Sequence, residues 1–301
     1  MSASSGYYIP HEARWPIVGS IGLFIFFMGF GSMLNDRAMG TPMLLIGLAI
    51  IVWMMFGWFS MVVRESESGT YNGQVDVSFR MAMMWFISEV MFFGAFFGAL
   101  FYARQFSGPW IGGDGGGGAI MTNSILWNGF DYIWPNNGPA KIGDDFASNQ
   151  SFTQMGWFGL PLINTLLLLT SGVTCTIAHH AIKVGNHSKM VRWLAATVGL
   201  GLIFVCLQAY EYYHAYHALG LKLTSGIYGS TFFMLTGFHG FHVTMGAVML
   251  FFVMLRGMRK HFSDTNHFAF EAAAWYWHFV DVVWLGLFIF CLLYTSPSPR
   301  D

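Results

Sequence analysis

The chain has 301 residues, of which 55% are hydrophobic and 18% aromatic, yet only 10% carry charge. Soluble domains carry about 25% charged residues, so this composition belongs in a membrane. A net charge of −1 excludes the basic balance of a nucleic-acid binder and points to no general acidic partner.

The first fifteen residues contain His11, Glu12 and Arg14 but no apolar core before a small-residue cleavage site, so no cleaved signal peptide is expected. A membrane-spanning helix needs about 20 mainly apolar residues. Seven segments qualify, at 16–34, 42–63, 81–103, 156–182, 191–217, 229–255 and 272–293. Pro16 and Pro42 fall in the first turn of their helices, where proline is tolerated. The short gap from Asn35 to Thr41 predicts an antiparallel hairpin of spans one and two. No internal repeat stands out.

Loop charges give the orientation. Arg14, Arg64, Arg80, Lys183, Lys189, Arg192, Arg256, Arg259 and Lys260 gather at one set of helix ends, against Arg37, Arg104, Lys141 and Lys222 at the other. The N-terminus is therefore expected in the cytoplasm and the 106–156 segment outside. That segment holds the glycine run 115–118, acidic Asp114, Asp131, Asp144 and Asp145, and interface-seeking Trp110, Trp127 and Trp134.

Cys175, Cys206 and Cys291 lie in apolar runs without C-x-x-C spacing, which excludes a disulfide framework and a zinc site. Residues 291–301, Cys-Leu-Leu-Tyr-Thr-Ser-Pro-Ser-Pro-Arg-Asp, resemble the in-frame translation of a sequencing adapter. The native unit is accordingly expected to be a single transmembrane domain over 1–290.

Ionisable groups inside hydrocarbon carry a penalty of at least about 2.5–3.5 kcal/mol and mark function by default. Glu89 lies eight residues after Met81, which puts it roughly 12 Å into the membrane at 1.5 Å per residue. Its Met, Phe and Trp surroundings favour the neutral carboxyl. It reads either as a lipid- or proton-path group or as a protonated carboxyl bonding a neighbouring helix. His278 and Asp281, three apart on one helix face, read as a hydrogen-bonded pair that locks packing.

The histidines are weighed as metal ligands. His179 and His180 end span four, His214 and His217 end span five, and His239 and His242 fall in the outer half of span six. Glu211 and His214 have the Glu-x-x-His spacing of di-iron bundles, but such sites need a second copy and two more glutamates. No metal is assigned. Arg64 with Glu65, and Arg256 with Arg259 and Lys260, form clusters at headgroup level that both set topology and attract anionic lipid.

Several strings carry a family resemblance: Arg64-Glu65-Ser66, Ile87-Ser88-Glu89-Val90-Met91-Phe92-Phe93, Pro161-Leu162-Ile163-Asn164-Thr165 with Ala178-His179-His180, and Leu207-Gln208-Ala209-Tyr210-Glu211-Tyr212-Tyr213. Gly226-Ile227-Tyr228-Gly229-Ser230-Thr231-Phe232-Phe233, Thr236-Gly237-Phe238-His239-Gly240-Phe241-His242-Val243 and the long run from Phe270 to Trp284 follow in order. Together they resemble cytochrome c oxidase subunit III across spans two to seven.

The resemblance implies an all-α polytopic membrane protein with seven transmembrane helices, two of them splayed as a hairpin from a five-helix bundle. It implies a non-catalytic subunit of a proton-pumping complex that oxidises cytochrome c and reduces dioxygen, in a bacterial inner membrane rather than a mitochondrial one. Haems and copper would belong to subunits I and II, cytochrome c would be met only through the complex, and phospholipid would lie between the hairpin and the bundle. The family's lipid contacts map onto Arg64, Glu65, Glu89, Arg256 and His267, and its intramembrane carboxyl, on a proton or dioxygen path, onto Glu89. Competing readings are a quinol oxidase subunit III, a proton-coupled transporter using Glu89 and Asp281, and a free-standing haem or di-iron enzyme.

Overall fold

The computed structural model describes residues 14–69, 87–138, 141–142, 145–146 and 152–295. His11, Glu12, Arg80, residues 81–86 of the third span, Asp144 and residues 296–301 lie outside the described residues. Seven helices among those described are long and apolar enough to cross a membrane. They are α1 (Trp15–Leu34), α2 (Gly40–Glu67), α3 (Ile87–Ile111), α5 (Leu160–Lys183), α6 (His187–His217), α7 (Gly226–Met258) and α8 (Phe268–Leu293). A short helix α4 (Gly117–Leu126) and a two-residue pairing of β1 (Lys141–Ile142) with β2 (Asp145–Phe146) lie between α3 and α5.

Several of the helices run past the segments expected from hydropathy. Apolar runs report the thickness of hydrocarbon, whereas capping decides where a helix ends. Asn186 shows the difference: its Oδ1 accepts the Lys189 N–H at 2.9 Å, so α6 starts at His187 rather than at 191. α3 likewise continues beyond 103 through a π-helical turn, Ala103–Ser107, and a last turn, Gly108–Ile111.

The chain divides into two compact units, Met1–Ala82 and Met83–Asp301. Within the first, α1 and α2 form an antiparallel hairpin closed by a tight turn in which Asp36 takes φ 52°. Lipid gives helices no hydrophobic reason to associate, so close backbone approach through small residues supplies the attraction. Gly29 lies against the backbone of Met43 and Leu44, and Gly47 against Phe26, where any side chain would collide. At the far end Trp15 packs edge-on to Trp53 at 5.7 Å.

In the second unit α5, α6, α7 and α8 close a ring of neighbours, and α3 packs on α7. The tryptophans of α8 hold the ring together. Trp277, fully buried, donates its indole N–H to Ser171 Oγ of α5 at 2.9 Å and presses on Gly201 of α6 and Gly246 of α7. Trp284 donates to Thr165 Oγ1 of α5 at 3.0 Å and meets Phe204 of α6 edge-on at 4.8 Å. His239 of α7 donates to the Val280 carbonyl of α8 at 3.2 Å. The indole N–H groups of Trp277 and Trp284 thus both find a partner within the membrane, where an unmatched donor is costly.

The segment after α3 is tied to this unit by Arg104. Its guanidinium lies 4.0 Å from the centre of the Tyr294 ring and 5.6 Å from that of Trp134, and it donates to the Tyr294 carbonyl at 3.0 Å. Cys291, Leu292 and Thr295 are buried, so residues of the adapter-like stretch continue the last helix.

Tyr132 donates its hydroxyl to the Arg104 carbonyl at 2.6 Å, and burial pushes its phenol up to about 12. The folded value exceeds the ordinary 10, so the tether's contribution is complete below about 10 and falls as pH rises through about 12. Limited proteolysis of the 112–138 segment should accelerate across that interval, and Tyr132→Phe should be cleaved faster than the parent already at neutral pH.

Candidate proton-holding site and its surroundings

Glu89 of α3 and His242 of α7 meet inside the second unit, Glu89 Oε2 lying 3.1 Å from His242 Nε2. His242 stands at the midpoint of α7, as it does of the expected span 229–255, and not in the outer half. The partner was absent from the sequence reading: periodicity says which face a residue occupies, not which residue of another helix it faces.

The second nitrogen of His242 fixes the tautomer. Nδ1 lies 2.7 Å from the Phe238 carbonyl, which can only accept, so Nδ1 bears a hydrogen. A single proton then occupies the link between Nε2 and Oε2. It resides on the carboxyl, facing a neutral imidazole, or on the ring, facing a carboxylate; the pair is neutral in both cases. Rings of Phe93, Phe241 and Tyr276 surround the imidazole at 5.1, 5.7 and 6.2 Å, and this apolar shell favours the partition without separated charge.

His242 is 9% exposed and Glu89 28% by side chain, so the pair borders the outside of the unit. With one shared proton the pair carries no net charge in the membrane. A hydrophobic carbodiimide, which attacks protonated carboxyls, should label Glu89 at neutral pH, read by mass spectrometry of the labelled peptide. A carboxylate infrared band that vanishes in Glu89→Gln would contradict the neutral acid.

His278 Nδ1 and Asp281 Oδ2 are 3.6 Å apart, longer than a hydrogen bond. His278 Nε2 instead lies 3.3 Å from Thr176 Oγ1 of α5, and Asp281 packs against Gly172 of the same helix. Two helices of the ring are therefore joined by this polar set. Glu211 is buried while His214 is exposed, so the Glu-x-x-His pair does not converge. Among the described residues no three His, Cys, Asp or Glu side chains are placed to hold a metal.

The candidate headgroup residues sit at helix ends. Arg64, in the last turn of α2, is exposed, its Nε donating to the Ser60 carbonyl at 3.3 Å, and Glu65 is half-buried. In the second unit Arg256 ends α7 with its guanidinium 4.7 Å from the centre of the Phe262 ring. His267, at the N-cap of α8, donates Nδ1–H to the Ser263 carbonyl at 3.1 Å and lies edge-on to His179 at 5.4 Å.

A model of the family described as cytochrome c oxidase subunit III matches residues 5–112 and 124–296. The chain belongs to the cytochrome c oxidase subunit III family. Cytochrome c oxidase subunit 3 from Cyprinus carpio is 37% identical over 288 residues, covering 94% of this chain and 95% of the relative. The protein of that name from Dugong dugon shows the same 37% over 288 residues with the same coverage. That from Heterololigo bleekeri is 37% identical over 284 residues, again covering 94% and 95%. The stretch that the subunit III family model passes over, 113–123, contains the glycine run and the start of α4. The chain is thus a multi-pass membrane protein of a family whose members are subunits of an oxidoreductase complex.

Proposed function

We propose that the chain serves as the accessory, non-catalytic subunit III of a proton-pumping cytochrome c oxidase, working beside subunits I and II, which would carry the haems and copper. Its own part is to hold a proton at Glu89 and His242, supporting proton uptake by subunit I, and to bind phospholipid that prolongs turnover. The observation that carries this reading is the near-complete family match together with a carboxyl–imidazole pair that shares one proton within the membrane. Arg64 and Glu65 at the end of α2, and Arg256 and His267 at the joined ends of α7 and α8, take the headgroup role; a basic residue near the surface attracts anionic lipid by about 1 kcal/mol. The long glycine-rich segment 106–156 favours a bacterial inner membrane, with the N-terminus cytoplasmic by the loop charges.

A quinol oxidase subunit III is the second reading, disfavoured by the full first hairpin, α1 with α2. Purification of the chain with its companions in mild detergent separates the two. Reduced cytochrome c should drive dioxygen uptake by the purified assembly, whereas uptake driven by quinol alone would replace the first reading with the second. A lack of any haem-bearing companion would remove both.

A further inference from the structure

We propose that Glu211 is a second proton-binding site of the bundle, a closed one, in which the neutral carboxylic acid pairs with the side-chain amide of Asn164. Glu211 lies on the buried face of α6 and is 4% exposed, and Asn164 of α5 is fully buried. Asn164 donates Nδ2–H to Glu211 Oε2 at 3.0 Å. Each partner's other oxygen, Glu211 Oε1 and Asn164 Oδ1, is also buried and accepts nothing from any protein donor. One helical turn away on the same face of α6, Gln208 is 7% exposed and its Oε1 is in the same condition.

The three oxygens share one defect. All are acceptors, and no donor faces them. If Glu211 were a carboxylate, a negative charge would sit buried in the bundle with one hydrogen bond, that from Asn164. No Lys, Arg or His among the described residues is within ion-pair range of it. Charge buried in that way is strongly penalised. A proton on Oε1 removes the charge and turns one surplus acceptor into the missing donor. Carboxylic acid and primary amide are then complementary: the amide N–H bonds one oxygen, and the acid O–H bonds the amide oxygen or that of Gln208.

Glu89 behaves differently. Its partner His242 is a base, and its side chain is 28% exposed, so its proton has an acceptor and is less enclosed than that of Glu211. Glu211 bonds an amide, which takes no proton, and is only 4% exposed. Its proton should be held rather than passed on. That distinction does not depend on which electron donor feeds the complex.

Infrared difference spectra of the purified complex in H2O and after transfer to D2O test it, comparing the parent with Glu211→Gln and with Glu89→Gln. The parent minus Glu211→Gln should show the loss of one protonated-carboxyl C=O band that stays unshifted for hours in D2O. The band lost in Glu89→Gln should shift on transfer. Glu211→Gln should assemble at the parental level, because a neutral amide reproduces the acid's hydrogen bonds. Loss of carboxylate bands in place of the acid band, a shift as fast as that of Glu89, or failure of Glu211→Gln to assemble would each overturn the proposal.

Discussion

Trp277→Ala should unfold the second unit more readily than any other single truncation in it. The indole is fully buried, bonds Ser171 of α5 and fills the space that Gly201 of α6 and Gly246 of α7 leave open. Removing a buried aromatic side chain costs about 3–5 kcal/mol. Here the loss falls on three helices at once and leaves the Ser171 hydroxyl without its partner across the helix boundary. Thermal unfolding of the detergent-solubilised chain should move to markedly lower temperature, with retention in the purified complex reduced in parallel. Trp277→Phe, which keeps most of the volume but not the N–H, should fall between the two. A parental unfolding temperature in Trp277→Ala would mean that α8 does not organise the ring.

The double substitution Arg64→Ala with Arg256→Ala should lower the phospholipid retained by the purified complex. At about 1 kcal/mol for each basic residue, the pair together amounts to about thirtyfold in headgroup affinity, since 1.4 kcal/mol is tenfold. Initial dioxygen uptake should match the parent, and the active lifetime during continuous turnover should shorten. Both arginines lie at helix ends, away from the buried bonds of the ring, so loss of fold is not the expected cause. Lipid phosphorus equal to that of the parent would take the headgroup role away from these residues.

The spans were legible because hydrocarbon thickness imposes its length on any crossing helix. Trp15–Leu34 and Leu160–Lys183 fall within a few residues of the apolar runs that announced them. Helix ends were less legible, since Asn186 as a cap and the π-turn after Tyr102 are local geometry with little compositional trace. The costly residues were legible one at a time. Glu89 and Asp281 stood out against an apolar background, but their partners did not. The sequence marks His242 as one of several histidines to weigh as metal ligands, and Asn164 as part of a family string without a task. Which side chains face each other follows from crossing and register between helices, and a single chain carries no signal for that without covarying relatives. Glu211 was considered with His214, three positions along and within one turn's reach, whereas its actual partner sits on the preceding helix.

In the proposed function, electron chemistry lies in companion subunits while this chain manages protons and lipid. Visible absorbance of the chain, expressed and purified without any companion, tests that most directly. It should be transparent at haem wavelengths, with the haem bands appearing only in preparations that retain the partner subunits. A haem band that survives in the solitary chain at one haem per chain would contradict it.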